Sequence, residues 1–338
     1  MTYSQTLNQV ISCQHLSFDA MQAVMRQVMA GELTPTQIAG LLIALRIKGE
    51  TVDEIAAAAS VMRELSTKVT IADNAHLIDT CGTGGDGIQT FNVSTVSAFV
   101  AAAAGASVAK HGGRSVSSTC GSADVLEAMG VNVNQTPEQV ANCVNEIGVG
   151  FMFAPNHHSA MKHAAPVRRE LGVRTLFNLL GPLTNPANAK RQVMGVFDKV
   201  LTVKLAHVLK QLGSEHVLVV CGADGMDEIS FTGDTFVAEL KNGKVSEYTL
   251  SPQQFGMPLH RLNSIQIQNA AESKAMILEV LAGKQPSPAR DIVLLNAGAA
   301  IYVAGIADSL QAGISKAAEV IDSGLALAKL EALKSAAI

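Results

Sequence analysis

The polar and apolar positions fall into two textures along the chain. Up to about residue 70 the apolar positions recur at helical spacing: Leu41, Leu42 and Leu45, then Ile55, Ala58, Ala59 and Met62. Such a stripe predicts amphipathic helices that bury one face. Ser17 is placed to cap a helix running to residue 29. Thr34-Pro35-Thr36-Gln37 combines a capping box with proline at the first helical position and opens a helix through residue 47. Thr51-Val52-Asp53-Glu54 is a second capping box, opening a helix over 55–65. From residue 76 the texture changes. Short apolar runs at 76–79, 107–110, 150–153, 192–197 and 216–221 alternate with helical patterns. Those patterns start at Ser94 and Ser122 and cover 159–170 and 200–212. Strand–helix alternation predicts an α/β fold with a mainly parallel central sheet flanked by helices, and ligands at the strand ends. Runs at 236–240 and 245–250 flank Asn242-Gly243, a hairpin signal. Residues 270–337 return to helical patterning, and 178–189, NLLGPLTNPANA, is the most loop-like interior stretch.

Composition narrows the classes. Of 338 residues, 48% are hydrophobic and 16% charged, with no tryptophan. That is an ordinary globular balance with ample core. The net charge of −4 gives no global attraction to nucleic acid or acidic membranes, so any basic site is local. The five cysteines are scattered without a C-x-x-C, which reads as reduced thiols in a cytosolic protein. The start, MTYSQTLNQV, lacks the basic region and apolar core of a signal peptide, and no apolar run reaches the ~20 residues of a membrane span.

Four polar clusters sit near predicted strand ends. The first is DTCGTGGDGIQTFNVST, residues 79–95. It follows an apolar run and offers backbone N–H groups free of side-chain bulk at Gly82, Gly84 and Gly85. It also carries oxygen side chains at Thr83, Asp86, Thr90, Asn92, Ser94 and Thr95. A glycine turn after a strand presents amides to an anion, and the next helix adds its dipole. The stretch is neither a Walker loop nor a G-x-G-x-x-G fingerprint. The second cluster, Lys110-His111-Gly112-Gly113-Arg114-Ser115, leads to Ser117, Ser118 and Ser122, and supplies two cations between glycines. The third, Gly222-Ala223-Asp224-Gly225-Met226-Asp227-Glu228, puts carboxylates at the exit of a buried strand, where they suit a hard cation such as Mg²⁺. Each of these taken alone also reads as an ordinary turn or a solvated charged loop. A diphosphate site needs amides, cations and metal carboxylates together, and this chain supplies all three. The fourth, residues 151–185, holds His157, His158 and His163, which lack the cysteine or carboxylate that would complete a zinc set. Arg168, Arg169 and Arg174 there read as cations for a carboxylate or phosphate.

These stretches carry a family resemblance. GTGGDGIQTFNVST, GSADVLEAMG, RTLFNLLGPLTNPA and GADGMDEIS, in this order and at these separations, resemble the signatures of the anthranilate phosphoribosyltransferase family over nearly the whole chain. The resemblance implies a small helical domain (1–72 plus about 168–188) and a larger α/β domain (73–167 and 189–338). It places the active site in the cleft between them and implies a cytoplasmic homodimer joined through the N-terminal helices. It implies Mg²⁺, one or two ions per subunit, and transfer of a phosphoribosyl group from phosphoribosyl pyrophosphate to the amine of anthranilate. On the donor side it implies Gly82, Thr83, Gly84, Gly85, Asp86, Thr90, Asn92, Ser94, Thr95, Lys110 and Ser122. Ser94, Asp227 and Glu228 match the metal positions. Gly82, His111, Gly113, Ala154, His158, Arg168, Gly181 and Pro182 match the surroundings of anthranilate, with Arg168 on its carboxylate. Two positions depart from the pattern, both on the acceptor side. Gly113 stands where the family usually has asparagine, and Met161 where an aromatic is common. Two other readings compete: transfer to, or phosphorolysis of, another aromatic acceptor, and a non-catalytic nucleic-acid-binding relative. The last are basic and lack the glycine and acidic signatures that this chain keeps.

Overall fold

Four capped helices open the chain in the computed structural model, which describes residues 1–115, 119–283 and 285–336. They are α1 (Tyr3–Ile11), α2 (Phe18–Ala30), α3 (Pro35–Lys48) and α4 (Val52–Leu65). Ser17 caps α2, and Thr34 and Thr51 close capping boxes with Gln37 and Glu54. A third box, Thr2 with Gln5, starts α1, a helix the apolar pattern alone did not single out. The Glu54 carboxylate is wholly buried. It accepts from Thr51 N at 2.8 Å, Leu16 N at 2.9 Å and Lys48 Nζ at 2.8 Å, so one acid caps α4 and holds the α1–α2 loop.

The strands follow the predicted runs. They are β1 (Leu77–Gly82), β2 (Ser107–Gly112), β3 (Val149–Phe153), β4 (Arg191–Gly195), β5 (His216–Gly222), β6 (Thr235–Lys241) and β7 (Lys244–Leu250). They form one sheet in the order β3-β2-β1-β4-β5-β6-β7. The first five are mutually parallel, and β6 and β7 add an antiparallel hairpin through Asn242 and Gly243, both at positive φ. The chain steps outward from β1 to β3 and then crosses to β4 on the other side of β1. Such a reversal opens a crevice at the carboxyl ends of the central strands, where ligands bind in open α/β sheets.

Each face of the sheet has its own core. One face, including Ile78, Val108, Val193, Leu218 and Val220, packs on α5 (Val93–Ala103), α6 (Ser122–Met129) and the C-terminal helices, among them Pro288–Val303. On the other face, Met194, Val217, Val219 and Ala238 pack on the helix Val200–Gln211 and share a core with α2, α3 and α4. Ala164, Val167, Leu176, Phe177, Leu179, Leu180 and Leu183 join this second core.

Two local expectations need correcting. The helix over 159–170 is broken into a 3₁₀ turn, Ser159–His163, and a separate helix, Ala165–Leu171. Pro166 lacks the N–H that a continuous helix would use there, and it restricts the residue before it. The loop-like stretch 178–189 begins in ordered turns, Phe177–Leu180 and Gly181–Leu183. A helix at Pro137–Asn142, capped by Thr136 with Gln139, runs into a π-helical turn at Cys143–Ile147 and was not expected. All five cysteines are free thiols. Among the described residues, no helix is long and apolar enough to cross a membrane.

Candidate active site

The glycine turn leaves β1 at its carboxyl end. Gly84, Gly85 and Gly87 take φ of +63°, +79° and +76°, which side chains other than glycine rarely adopt. The Thr83 amide donates to Gly195 O at 2.9 Å, and the Gly84 amide donates to Asp227 Oδ2 at 2.8 Å. The loop carrying Asp227 lies directly on the ends of β1 and β4. A Cβ on Gly82 would collide with Asp227 Oδ2, and one on Gly195 with the Asp227 carbonyl. Gly195 is therefore required by close approach, and it carried no motif that could have flagged it.

The head of α5 faces the same turn. Ser94 N donates to Glu228 Oε1 at 3.0 Å, and Lys110 Nζ donates to Ser94 Oγ at 3.1 Å and to Thr80 O. Asp86 orders the turn by accepting from Ile88 N at 3.1 Å. Asn92 donates through Nδ2 to Cys120 O at 3.1 Å and exchanges bonds with Ser273, whose Oγ donates to Asn92 Oδ1 at 2.7 Å. Ser273 sits in the helix Ala270–Leu281, where nothing in the local sequence marks it. Thr90 forms an isolated β-bridge with Gln266. Among the described residues, the buried hydroxyls of Thr83 and Thr95 have no partner.

The electrostatics are strained on this side. Burial raises the Asp227 carboxyl to about 7, with Asp86 adding repulsion, and raises Glu228 to about 8, with Asp227 adding repulsion. Lys110 is pulled below its ordinary value by burial, against the opposing charges of Asp79, Glu228 and Asp227. Among the described residues, no group of three or more His, Cys, Asp or Glu side chains forms a metal cage on its own.

The other half of the cleft lies at the ends of β2 and β3. His111 is buried at the end of β2. His158 follows the short helix Ala154–His157 that leaves β3, and the two rings stand 5.0 Å apart. Nε2 of both is buried with no partner among the described residues. Burial, with each imidazole reinforced by its neighbours, lowers His111 to about 3 and His158 to about 4, so both are neutral at pH 7. His157 donates through Nδ1 to Thr67 O at 2.9 Å, and His163 turns away to pack on Gly31, which caps the end of α2. Gly113 is not in the left-handed region, and a Cβ there would meet nothing within 4 Å. Its carbonyl accepts from Ala123 N at 3.1 Å and Ser122 Oγ at 3.4 Å. Gly181 is exposed, and Pro182 O accepts from Gln192 Nε2 at 2.7 Å.

The cations separate by role. Arg168 is half-buried, 5.4 Å over the Phe177 ring, and pairs with no carboxylate among the described residues. Arg114, predicted beside Lys110, is instead paired with Asp124 at 3.0 Å and Glu127 at 2.6 Å. Two acids on one turn of α6 capture it. Arg174 stacks 3.9 Å over Phe197 and donates to Gly85 O, while its own carbonyl accepts from Arg46 of α3. It clasps the glycine turn to the helical bundle. Arg169 is exposed. Ser117 and Ser118 lie outside the described residues.

Known proteins share much of this sequence and its fold. Residues 4–66 match the model of the glycosyl transferase family helical bundle domain, and 74–327 that of the glycosyl transferase family a/b domain. An anthranilate phosphoribosyltransferase from Methylobacillus flagellatus is 66% identical over 99% of this chain and 98% of its own. The crystal structure of anthranilate phosphoribosyltransferase from Thermus thermophilus superposes with a TM-score of 0.93 at 43% identity, covering 98% of both chains. The Saccharomyces cerevisiae enzyme in complex with PRPP (phosphoribosyl pyrophosphate) and Mg matches with a TM-score of 0.84 at 30% identity, covering 95% of this chain and 92% of that one. The same yeast enzyme in complex with 4-fluoroanthranilate matches with a TM-score of 0.86 at 27% identity, covering 99% and 98%.

Proposed function

The chain belongs to the anthranilate phosphoribosyltransferase family, and from that premise we propose how its cleft moves the 5-phosphoribosyl group of phosphoribosyl pyrophosphate onto the amine of anthranilate. The observation that carries the reading is the wiring of three distant segments to one turn: Gly84 N to Asp227, Ser94 N to Glu228, and Lys110 Nζ to Ser94 Oγ. A diphosphate leaving group needs amides, a fixed cation and counter-ion ligands at one place.

The glycine turn of residues 82–85 and the ammonium of Lys110 hold the diphosphate. Thr83, Asp86, Thr90, Asn92, Thr95 and Ser122 shape the donor half of the cleft. The donor fits the orphaned hydroxyls of Thr83 and Thr95, which a substrate oxygen would satisfy. Two buried carboxylates, each pushed up by burial and by repulsion from a neighbouring acid, suit a divalent cation. Mg²⁺ takes one or two carboxylates and fills its shell from substrate phosphate and water. Ser94, Asp227 and Glu228 would hold it, and its chemistry there is neutralisation of the leaving charge.

On the other side Arg168 receives the anthranilate carboxylate, a bidentate contact for a guanidinium that pairs with no carboxylate among the described residues. His111, Gly113, Ala154, His158, Gly181 and Pro182, with Gly82 between the halves, surround the ring. The amine nitrogen attacks C1 as the C1–O bond to pyrophosphate breaks, and the nitrogen then sheds a proton to the departing pyrophosphate or to water. An arylamine is unprotonated at pH 7, so imidazoles held neutral suffice and no strong base is required. Positioning and electrostatic stabilisation of a cationic sugar supply the acceleration.

Three organisational features go with this reading. Residues 1–72 with about 168–188 form the helical domain, and 73–167 with 189–338 the α/β domain. The chain pairs with a second copy through α1 and α3, where Ile11 and Ile47, near the C-terminal ends of those helices, are 61% and 79% exposed. It works in the cytoplasm. The test is a fluorescence assay in which anthranilate emission falls only when protein, phosphoribosyl pyrophosphate and Mg²⁺ are all present. Emission that persists with all three overturns the reading.

A further inference from the structure

The ladder between β1 and β2 stops early. It pairs Leu77 with Ser107 and Ile78 with Val108, and goes no further. The flanking ladders, β1–β4 and β2–β3, continue to Gly82 and Gly112. From Asp79 onward the two strands therefore part, in the middle of the sheet, at the point where β2 delivers Lys110 and His111. Backbone groups freed there are buried and have to find partners. Side chains supply them. Asp79, fully buried, accepts from His111 N through Oδ1 at 3.1 Å. Its Oδ2 accepts from Asn185 Nδ2 at 2.7 Å. The same Asn185 Nδ2 donates to Ala109 O at 2.9 Å, and Asn185 Oδ1 accepts from Ala187 N at 2.9 Å. Lys110 Nζ closes the set on Thr80 O.

The geometry points to Asp79 and Asn185 as a positioning pair for the transfer reaction: a carboxylate–amide bridge across the parted strands that sets where Lys110 and His111 present their side chains to the two substrates. The inference rests on the transfer reading above for its kinetic consequence. Neither residue touches substrate in this account. Asp79 fixes the backbone of His111 directly and that of Lys110 through its neighbour. Asn185 ties the segment that follows Gly181 and Pro182 to the same carboxylate. One buried bridge thus holds both walls of the acceptor half and the donor-side lysine in register. A carboxylate is demanded because it accepts two bonds and donates none. An amide at position 79 offers one acceptor oxygen, so the His111 N–H or the Asn185 amide loses its partner.

The experiment compares wild type, Asp79→Asn, Asn185→Ser and the exchange variant Asp79→Asn/Asn185→Asp. Kinetics are measured well below each melting temperature, alongside hydrogen exchange of residues 107–113. Asp79→Asn is expected to lower kcat/KM at least tenfold and to raise KM for both substrates at least threefold, with faster exchange at His111. A smaller folded fraction alone leaves KM unchanged. Asn185→Ser is expected to raise the anthranilate KM at least threefold. The exchange variant restores an amide–carboxylate contact across the gap and is expected to recover at least fivefold of the loss in kcat/KM, while leaving Ala109 O unpaired. Unchanged KM values in folded single variants, or unchanged exchange at 107–113, overturn the inference. If Asp79→Asn does not fold, Asn185→Ser decides by the same measures. Wild-type protein without transfer activity refutes the function reading instead, and the exchange data alone then judge the bridge.

Discussion

The donor and acceptor halves of the cleft are built to different degrees. On the donor side most of the protein's own groups already bind one another, the buried hydroxyls of Thr83 and Thr95 excepted: amides meet Asp227 and Glu228, Lys110 meets Ser94, and Asn92 meets Ser273. On the acceptor side the polar groups are left open. Among the described residues, Nε2 of His111 and of His158 has no partner, Arg168 has no carboxylate, and Gly113 borders free space. The difference follows from charge. A diphosphate brings several charges whose binding must be prepared by fixed dipoles and cations, which hold each other in place until it arrives. A small aromatic acid brings one charge and a flat apolar ring, and a pocket of neutral imidazoles and one guanidinium is enough for it.

The largest test removes the donor side's acid pair. Asp227→Asn with Glu228→Gln is expected to cut turnover about 100-fold or more at ordinary Mg²⁺, since metal charge stabilisation is worth several kcal/mol. Steady-state rates against Mg²⁺ concentration check it, and wild-type rates sink the assignment. The same change should stabilise the ligand-free fold at alkaline pH. Asp227 and Glu228 are raised to about 7 and about 8 in the folded chain, so folding holds protons that the unfolded chain has released. Their cost is absent below the unfolded carboxylate range and grows as pH rises towards 8. Melting curves from pH 6 to 9 should fall for wild type and flatten for the variant. His111 and His158 oppose this below their ordinary range: lowered to about 3 and about 4, they cost stability as pH drops below about 6.5.

Arg168→Ala attacks the acceptor side alone. Loss of a charge-assisted pair is worth about 1.5–3 kcal/mol, so KM for anthranilate should rise roughly tenfold to a hundredfold while KM for phosphoribosyl pyrophosphate stays put. A rise confined to the donor KM would move Arg168 to the other half. Gly84→Val tests the donor turn. The space beside Gly84 is open and its φ is +63°, so the obstacle is conformation and not crowding. A β-branched residue there costs at least the 1–2 kcal/mol of the left-handed region, for about a tenfold weaker diphosphate affinity. Calorimetry with phosphoribosyl pyrophosphate reads it directly, and equal affinity would make the turn merely structural. The smallest effect is expected at Gly113. Its φ lies outside the left-handed region and a Cβ has room, so Gly113→Asn should melt like wild type. One restored neutral hydrogen bond is worth about 1 kcal/mol, or about fivefold tighter anthranilate binding. A stable variant with markedly weaker binding would mean that this pocket is shaped for a different aromatic acid.

Much of this was legible along the chain. Alternation of short apolar runs and helical stripes located the five parallel strands, because burial on both faces of a parallel sheet demands continuous apolar residues, and the Asn242-Gly243 turn located the β6–β7 hairpin. Capping boxes at Thr34 and Thr51 marked helix starts because cap chemistry is local. The glycines at 84, 85 and 87 were visible as a turn, and their positive φ is why no other residue would serve. What could not be read is the partner of each polar group. Arg114 and Arg174 are both basic residues near a glycine cluster, yet one is captured by Asp124 and Glu127 and the other clasps Gly85 O. Ser273 looks like any helix serine and holds Asn92 from 181 residues away.

The sequence by itself determined the elements, their order, the glycine turn and the inventory of charges, because propensity, capping and hydrophobic period act over a few neighbours. Only the tertiary structure decided which charges face each other. It parted β1 from β2 and set Asp79 and Asn185 across the gap, and it laid Asp227 against Gly82 and Gly195. It also left Nε2 of His111 and His158 unpartnered, and Arg168 without a carboxylate among the described residues. Those outcomes depend on strand order and on distances between segments far apart in the chain, and electrostatic and hydrogen-bond energies change steeply over a few ångströms.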